Sequence, residues 1–119
     1  MFSRTWAVPY VLARQELETI LREYGFTLAA EALLPEASGS AWAEYRRAGG
    51  RVRLEWDGKD HWLRLKASTA GAQPAAHQWE DIEVLLRELP RAHMLTDGSL
   101  GHARVNTLRS VLRRHLDHA

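Results

Sequence analysis

The sequence predicts an α+β fold: an antiparallel four-stranded meander sheet with helices packed on one face, in the order α-β-β-β-β-α-α, within a single domain spanning residues 1–119. Three observations carry that prediction. Residues 41–67, AWAEYRRAGGRVRLEWDGKDHWLRLKA, alternate apolar and charged side chains through three runs separated by Gly49-Gly50 and Asp57-Gly58. That is the period-two pattern of strands that bury one face, punctuated by hairpin chemistry. Stretches on either side place apolar residues at helical spacing instead. Finally, 119 residues with 45% apolar content suffice to close a two-layer core without a metal or a disulfide.

The first helix is predicted over residues 9–24, where Leu17, Ile20, Leu21 and Tyr24 follow the i, i+3, i+4, i+7 rule and Arg14, Glu18, Arg22 and Glu23 occupy the rest of the wheel. Pro9 suits its first turn, and Gly25 suits the left-handed position past its end, with Phe26 folding back onto the last turn. Residues 26–34 read as a strand from the alternation of Phe26, Leu28 and Ala30, and residues 35–40 as a loop. The meander follows, with strands near 41–47, 51–56 and 61–67. After a small-residue connection, Trp79, Ile82, Leu85, Leu86 and Leu89 predict a second helix over 79–89, closed by Pro90 and acidic in its first turn through Glu80, Asp81 and Glu83. Residues 91–101 read as loop. A third helix is predicted over 103–116 on Val105, Leu108, Val111, Leu112 and Leu116.

Hairpin geometry assigns the faces of the meander. With Gly49-Gly50 as a two-residue turn, Arg46 opposes Arg53 and Tyr45 opposes Leu54. With residues 57–60 closing the next hairpin, Trp56 opposes His61, Leu54 opposes Leu63 and Val52 opposes Leu65. Tyr45, Val52, Leu54, Trp56, Leu63 and Leu65 then share the buried face, and a slip of one residue would break that agreement. The opposite face carries Arg46, Arg53 and Arg64 in one row, flanked by Arg51 and Lys66, with Glu44, Glu55 and Trp62 beside it. Like charges in register cost up to about 1 kcal/mol each unless diagonal carboxylates or a ligand compensate.

Composition excludes several classes of chemistry. With no cysteine there is no disulfide, thiol nucleophile or thiolate zinc site. The first residues hold too short an apolar run for a signal peptide, and nowhere do apolar residues continue for the roughly 20 positions of a membrane span. A cytoplasmic location is expected. A net charge of +1 is far from that of a general polyanion binder. Apart from Lys59 and Lys66, all sixteen basic residues are arginine, a bias that a high-GC, bacterial-type genome produces without selection for function.

Other motifs carry less. Gly98-Ser99-Leu100-Gly101 lacks the lysine and the preceding strand of a P-loop and the basic residue of an RNA-clamping GxxG loop, so it reads as a connecting turn. Arg104, Arg109, Arg113 and Arg114 make the third helix basic beside an acidic second helix, an arrangement in which the two helices stabilise each other; phosphate binding would require these arginines to share one exposed face. His115 and His118 have metal-compatible spacing without an obvious third ligand. No GxSxG or HExxH is present, so neither metal, cofactor nor catalytic residue is assigned. A dispersed catalytic site would need a pocket gathering two or more of His61, His77, His93, Glu31 and Asp97.

The functional expectation is a small cytoplasmic protein-interaction module of accessory-subunit or toxin-neutralising type, by analogy of architecture alone. Its partner is acidic or of mixed charge, and the docking residues are Trp62, Arg53, Arg64, Arg46, Glu55 and Trp42 on the open sheet face, because arginine and tryptophan dominate interface energetics. The alternative is a nucleic-acid-binding domain using the arginine row or the basic C-terminal helix. Self-pairing through a strand edge is a further option for the oligomeric state.

Overall fold

In the computed structural model, which describes residues 8–34, 39–59, 62–69, 78–86 and 99–117, the chain begins with helix α1, Val8–Glu23. Its buried stripe is Tyr10, Ala13, Leu17, Ile20 and Leu21. The helix ends as its glycine dictates. Gly25 takes φ 87°, which lets the Phe26 amide donate to the Leu21 carbonyl at 3.0 Å and the Gly25 amide to the Arg22 carbonyl at 3.1 Å. This Schellman closure turns Phe26 back into the core.

Strands β1 (Thr27–Leu34), β2 (Ser40–Arg47), β3 (Gly50–Asp57) and β4 (Trp62–Ser68) form the meander, and β5 (Glu80–Asp81) adds to its far edge. The sheet is therefore five-stranded, in the order β1-β2-β3-β4-β5 with every neighbour antiparallel, which corrects the four-stranded expectation. The helix expected over 79–89 is the source of the error. Glu80 and Asp81 pair with Ala67 and Lys66 on the open edge of β4, and only Ile82–Leu85 turns helical, as α2. Unpaired edge amides and carbonyls of β4 gain partners this way, whereas a short isolated helix gains little from its own hydrogen bonds. Asp81 then caps α2, accepting from the Glu83 amide at 2.9 Å. Of the proposed apolar stripe, Ile82 is buried but Leu85 is 44% exposed; Leu89 and Pro90 lie outside the described residues.

Helix α3, Ser99–Asp117, starts four residues earlier than its apolar stripe suggested, so Ser99, Leu100 and Gly101 are helical and not part of a connecting turn. Val105, Leu108, Val111, Leu112 and Leu116 join α1 and the inner sheet face in one core cluster.

Both hairpins are displaced by two residues from the expected registers. The first turns at Ala48-Gly49, with φ 79° at Gly49, so that Arg47 pairs with Gly50, Tyr45 with Val52 and Ala43 with Leu54. In the second, Asp57 pairs with Trp62, Trp56 with Leu63 and Leu54 with Leu65. A displacement of two keeps every side chain on its predicted face. Tyr45, Val52, Leu54, Trp56, Leu63 and Leu65 are accordingly all buried, while the rows on the outer face change.

A polar seam joins α1 to β1 and β2. Tyr10 donates to Glu31 at 2.9 Å and Tyr45 donates to Glu18 at 2.8 Å, while Arg14 reaches both carboxylates, at 2.6 Å to Glu18 and 2.8 Å to Glu31. Burial raises both phenols above their ordinary value, and the hydrogen bond to Glu31 raises Tyr10 further. A raised phenol holds its proton more tightly in the folded chain. Its contribution to stability is thus complete below the unfolded value of about 10 and is lost as pH climbs toward the folded value. Alkaline titration should show a melting temperature that falls above pH ~10, with phenolate absorbance lagging that of free tyrosine. Tyr10→Phe should flatten the fall; an unchanged slope would contradict this account.

Candidate functional site

The outer sheet face is set by the observed registers. One row across it runs Glu44, Arg53, Lys66, Asp81; the next runs Trp42, Glu55, Arg64; and Ser40, Asp57, Trp62 lie beyond. The expected row of three arginines does not exist: Arg46 faces Arg51, Arg53 faces Glu44, and Arg64 faces Glu55. The two-residue displacement sets Arg64 against Glu55 and Arg53 between Glu44 and Lys66, so the expected repulsion is removed at Arg64 while Arg53 keeps one cationic neighbour in register.

The carboxylates of this face are engaged. Glu44 is buried and lies 3.1 Å from both Arg46 and Arg51, so this like-charged pair in register shares a buried anion. Glu55 lies 3.1 Å from Lys66 and 3.6 Å from Arg53. Arg53 is further held between two indoles, with its guanidinium carbon 4.3 Å from the Trp42 ring and 5.7 Å from the Trp79 ring. It is a structural clamp between β2, β3 and the segment leading into β5. Arg46 sits at the opposite end of β2 from Trp42, with the row of Glu44 and Arg53 between them.

Five of the six expected docking residues come together, Arg53 through its contacts with Trp42 and Glu55. Trp42, Glu55 and Arg64 line a surface depression of about 340 Å³, with Leu34, Ser40 and Asp57 completing its wall. Trp62, paired in register with Asp57, is stacked under the Arg64 guanidinium at 5.1 Å. Among the described residues no carboxylate lies within ion-pair distance of Arg64, although Glu55 is its neighbour in register. Glu55 is drawn instead to Lys66 and Arg53, leaving a stacked, pre-oriented guanidinium facing outward.

The basic helix is differently disposed from the phosphate-binding arrangement. Arg104 is buried, Arg113 pairs with Glu23 of α1 at 3.1 Å, and Arg109 approaches Glu16 at 4.0 Å. Arg104 is the residue that sequence reasoning missed. Its guanidinium donates to both Glu83 carboxylate oxygens and, through Nε and Nη2, to the Leu63 carbonyl at 3.2 and 2.7 Å. The signal was present: Arg104, Leu108 and Val111 stand at i, i+4, i+7, placing the arginine on the apolar stripe. Opposite charge on α2 and α3 therefore acts through one buried pair.

Of the residues named for a dispersed catalytic site, His61, His77, His93 and Asp97 lie outside the described residues, and Glu31 is held by Tyr10 and Arg14. His118, the partner of His115 in the metal-compatible spacing, also lies outside them. Among the described residues no group of three or more histidines and carboxylates could hold a metal ion, and no helix is long and apolar enough to cross a membrane. The fold and this surface define an α+β domain with a five-stranded meander and a tryptophan-arginine outer face. No family model, curated protein or solved structure matches the chain.

Proposed function

We propose that the chain is a small cytoplasmic protein-interaction module, of accessory-subunit or toxin-neutralising type, that binds an acidic or mixed-charge protein partner at the Trp42, Trp62, Glu55 and Arg64 end of its outer sheet face. The observation that carries the reading is Arg64: stacked on an indole, bordering a depression and without a carboxylate among the described residues. A partner Asp or Glu would complete it, since a guanidinium accepts a carboxylate bidentately and stacking restrains the geometry beforehand. Trp42 and Trp62 supply rigid contact area around that pair. Arg53 and Arg46, engaged with Glu55 and Glu44, support the surface and contribute less to docking.

Nucleic-acid binding through the same tryptophans is less well supported, because Glu44, Glu55, Asp57 and Asp81 share the face. The two readings separate in one experiment. Partners captured from the native cell are identified and their affinity measured against salt, for the native chain and for Arg64→Glu with Trp62→Ala. The double variant should stay folded and lose at least about tenfold in affinity for a protein partner, as truncating an interface anchor typically does. Undiminished capture would sink the proposal, and a steep logarithmic loss with salt would transfer it to nucleic acid.

A further inference from the structure

A groove of about 630 Å³ opens at the other end of the sheet, between the β2–β3 turn and the last turn of α3. Its apolar lining comes from Phe26, Val52, Ala67, Leu85 and Leu116, and its polar lining includes Arg47, His115, Thr69, Gln78 and Glu80. Arg47 is fixed in place. It donates to the Tyr24 carbonyl at 2.8 Å and stacks over the Phe26 ring at 4.6 Å, so closing α1 and orienting the guanidinium are one event. No described carboxylate pairs with Arg47 or with His115. Arg51 also lines the groove but is committed to Glu44 on the outer face.

The charges are segregated. Arg47 ends β2 and Glu80 begins β5, three strand spacings away, or roughly 14 Å. His115 lies near Arg47: burial lowers the imidazole below its ordinary value, and the charge of Arg47 lowers it further. The groove thus has Arg47 at one end, Val52 and Ala67 in its middle bordered by Ser68, Thr69 and Gln78, and Glu80 at its far end. We infer that it binds an elongated apolar carboxylic acid, with the carboxylate on Arg47 and His115 and the hydrocarbon body along Phe26, Val52, Ala67 and Leu116. One guanidinium and one imidazole match a monoanion, whereas a phosphate dianion calls for more donors. The groove is distinct from the docking surface, because Trp42 and Arg47 are separated along β2 by roughly 17 Å.

Calorimetric titration of the full chain with decanoate, decanol and inorganic phosphate tests this. Decanoate should bind at least tenfold more tightly than either of the others. Arg47→Gln should weaken decanoate at least tenfold and His115→Gln severalfold, while Glu80→Gln should leave it unchanged or tighter. Circular dichroism establishes that each variant is folded, and His115→Gln keeps the test decisive should Arg47→Gln unfold by losing its bond to Tyr24. Equal binding of decanol, equal binding of phosphate, no binding of decanoate, or decanoate affinity indifferent to His115→Gln and to a folded Arg47→Gln would each overturn the inference.

Discussion

Arg104→Ala is expected to destabilise the fold by about 3–5 kcal/mol, the cost of stranding one member of a buried ion pair. Both partners are out of solvent, with the Arg104 side chain 0% and the Glu83 side chain 2% exposed. Truncation would leave a carboxylate in the core and remove the donors that reach Leu63. Among the described residues β5 pairs only with Lys66 and Ala67 of β4, so it offers the Leu63 carbonyl no replacement donor. Against a typical total of roughly 5–15 kcal/mol, the loss should lower the melting temperature by roughly 10–20 °C. Glu83→Leu combined with Arg104→Met should recover most of it, since apolar replacement of both charges removes the desolvation penalty. Equilibrium urea unfolding at constant slope measures both effects. A loss below about 1 kcal/mol for Arg104→Ala would mean that water reaches the pair.

The second large effect is expected at Arg53. Arg53→Glu would end the stacking on Trp42 and Trp79 and set a carboxylate directly opposite Glu44, with Glu55 on the same strand. Two partly desolvated cation–π contacts and a new like-charge pair, partly offset by an opposite-charge pair with Lys66 in register on β4, together amount to about 2 kcal/mol. Arg64→Glu, with a single stacking contact and Glu55 as its neighbour in register, should cost less than about 1 kcal/mol. Thermal melts of the two variants side by side decide the matter; equal melting temperatures would restore Arg53 to the docking surface. The comparison also shows why a charge reversal at Arg53 is a poor probe of partner binding: lost capture would report a loosened sheet.

Much of the fold was legible because short-range chemistry determines it. The spacing of Leu17, Ile20 and Leu21, the glycine at position 25 and the alternation through Val52, Leu54, Trp56, Leu63 and Leu65 each act within a few residues, and each specifies a helix face, a helix end or a sheet face. Turn composition alone did not settle the hairpin offset. A register two residues away preserves the inward pattern, so Ala48-Gly49 and Gly49-Gly50 were equivalent by hydrophobic alternation and differed only in which charges met across the strands. The segment at 79–86 misled for a related reason: its apolar spacing fits a helix, but the vacant edge of β4 lies far away in the chain.

What the sequence by itself determined about this protein is its α+β class and the identity of its inward-facing residues, because burial of apolar side chains follows from local periodicity. What only the tertiary structure decided is the fifth strand, the pairing of the outer-face charges, the burial of Arg104 against Glu83 and the commitment of Glu55 to Lys66 and Arg53 in place of Arg64. Those features depend on which distant backbone edges and side chains meet, and electrostatic partners are chosen by distances of a few ångströms that residue spacing along the chain does not encode.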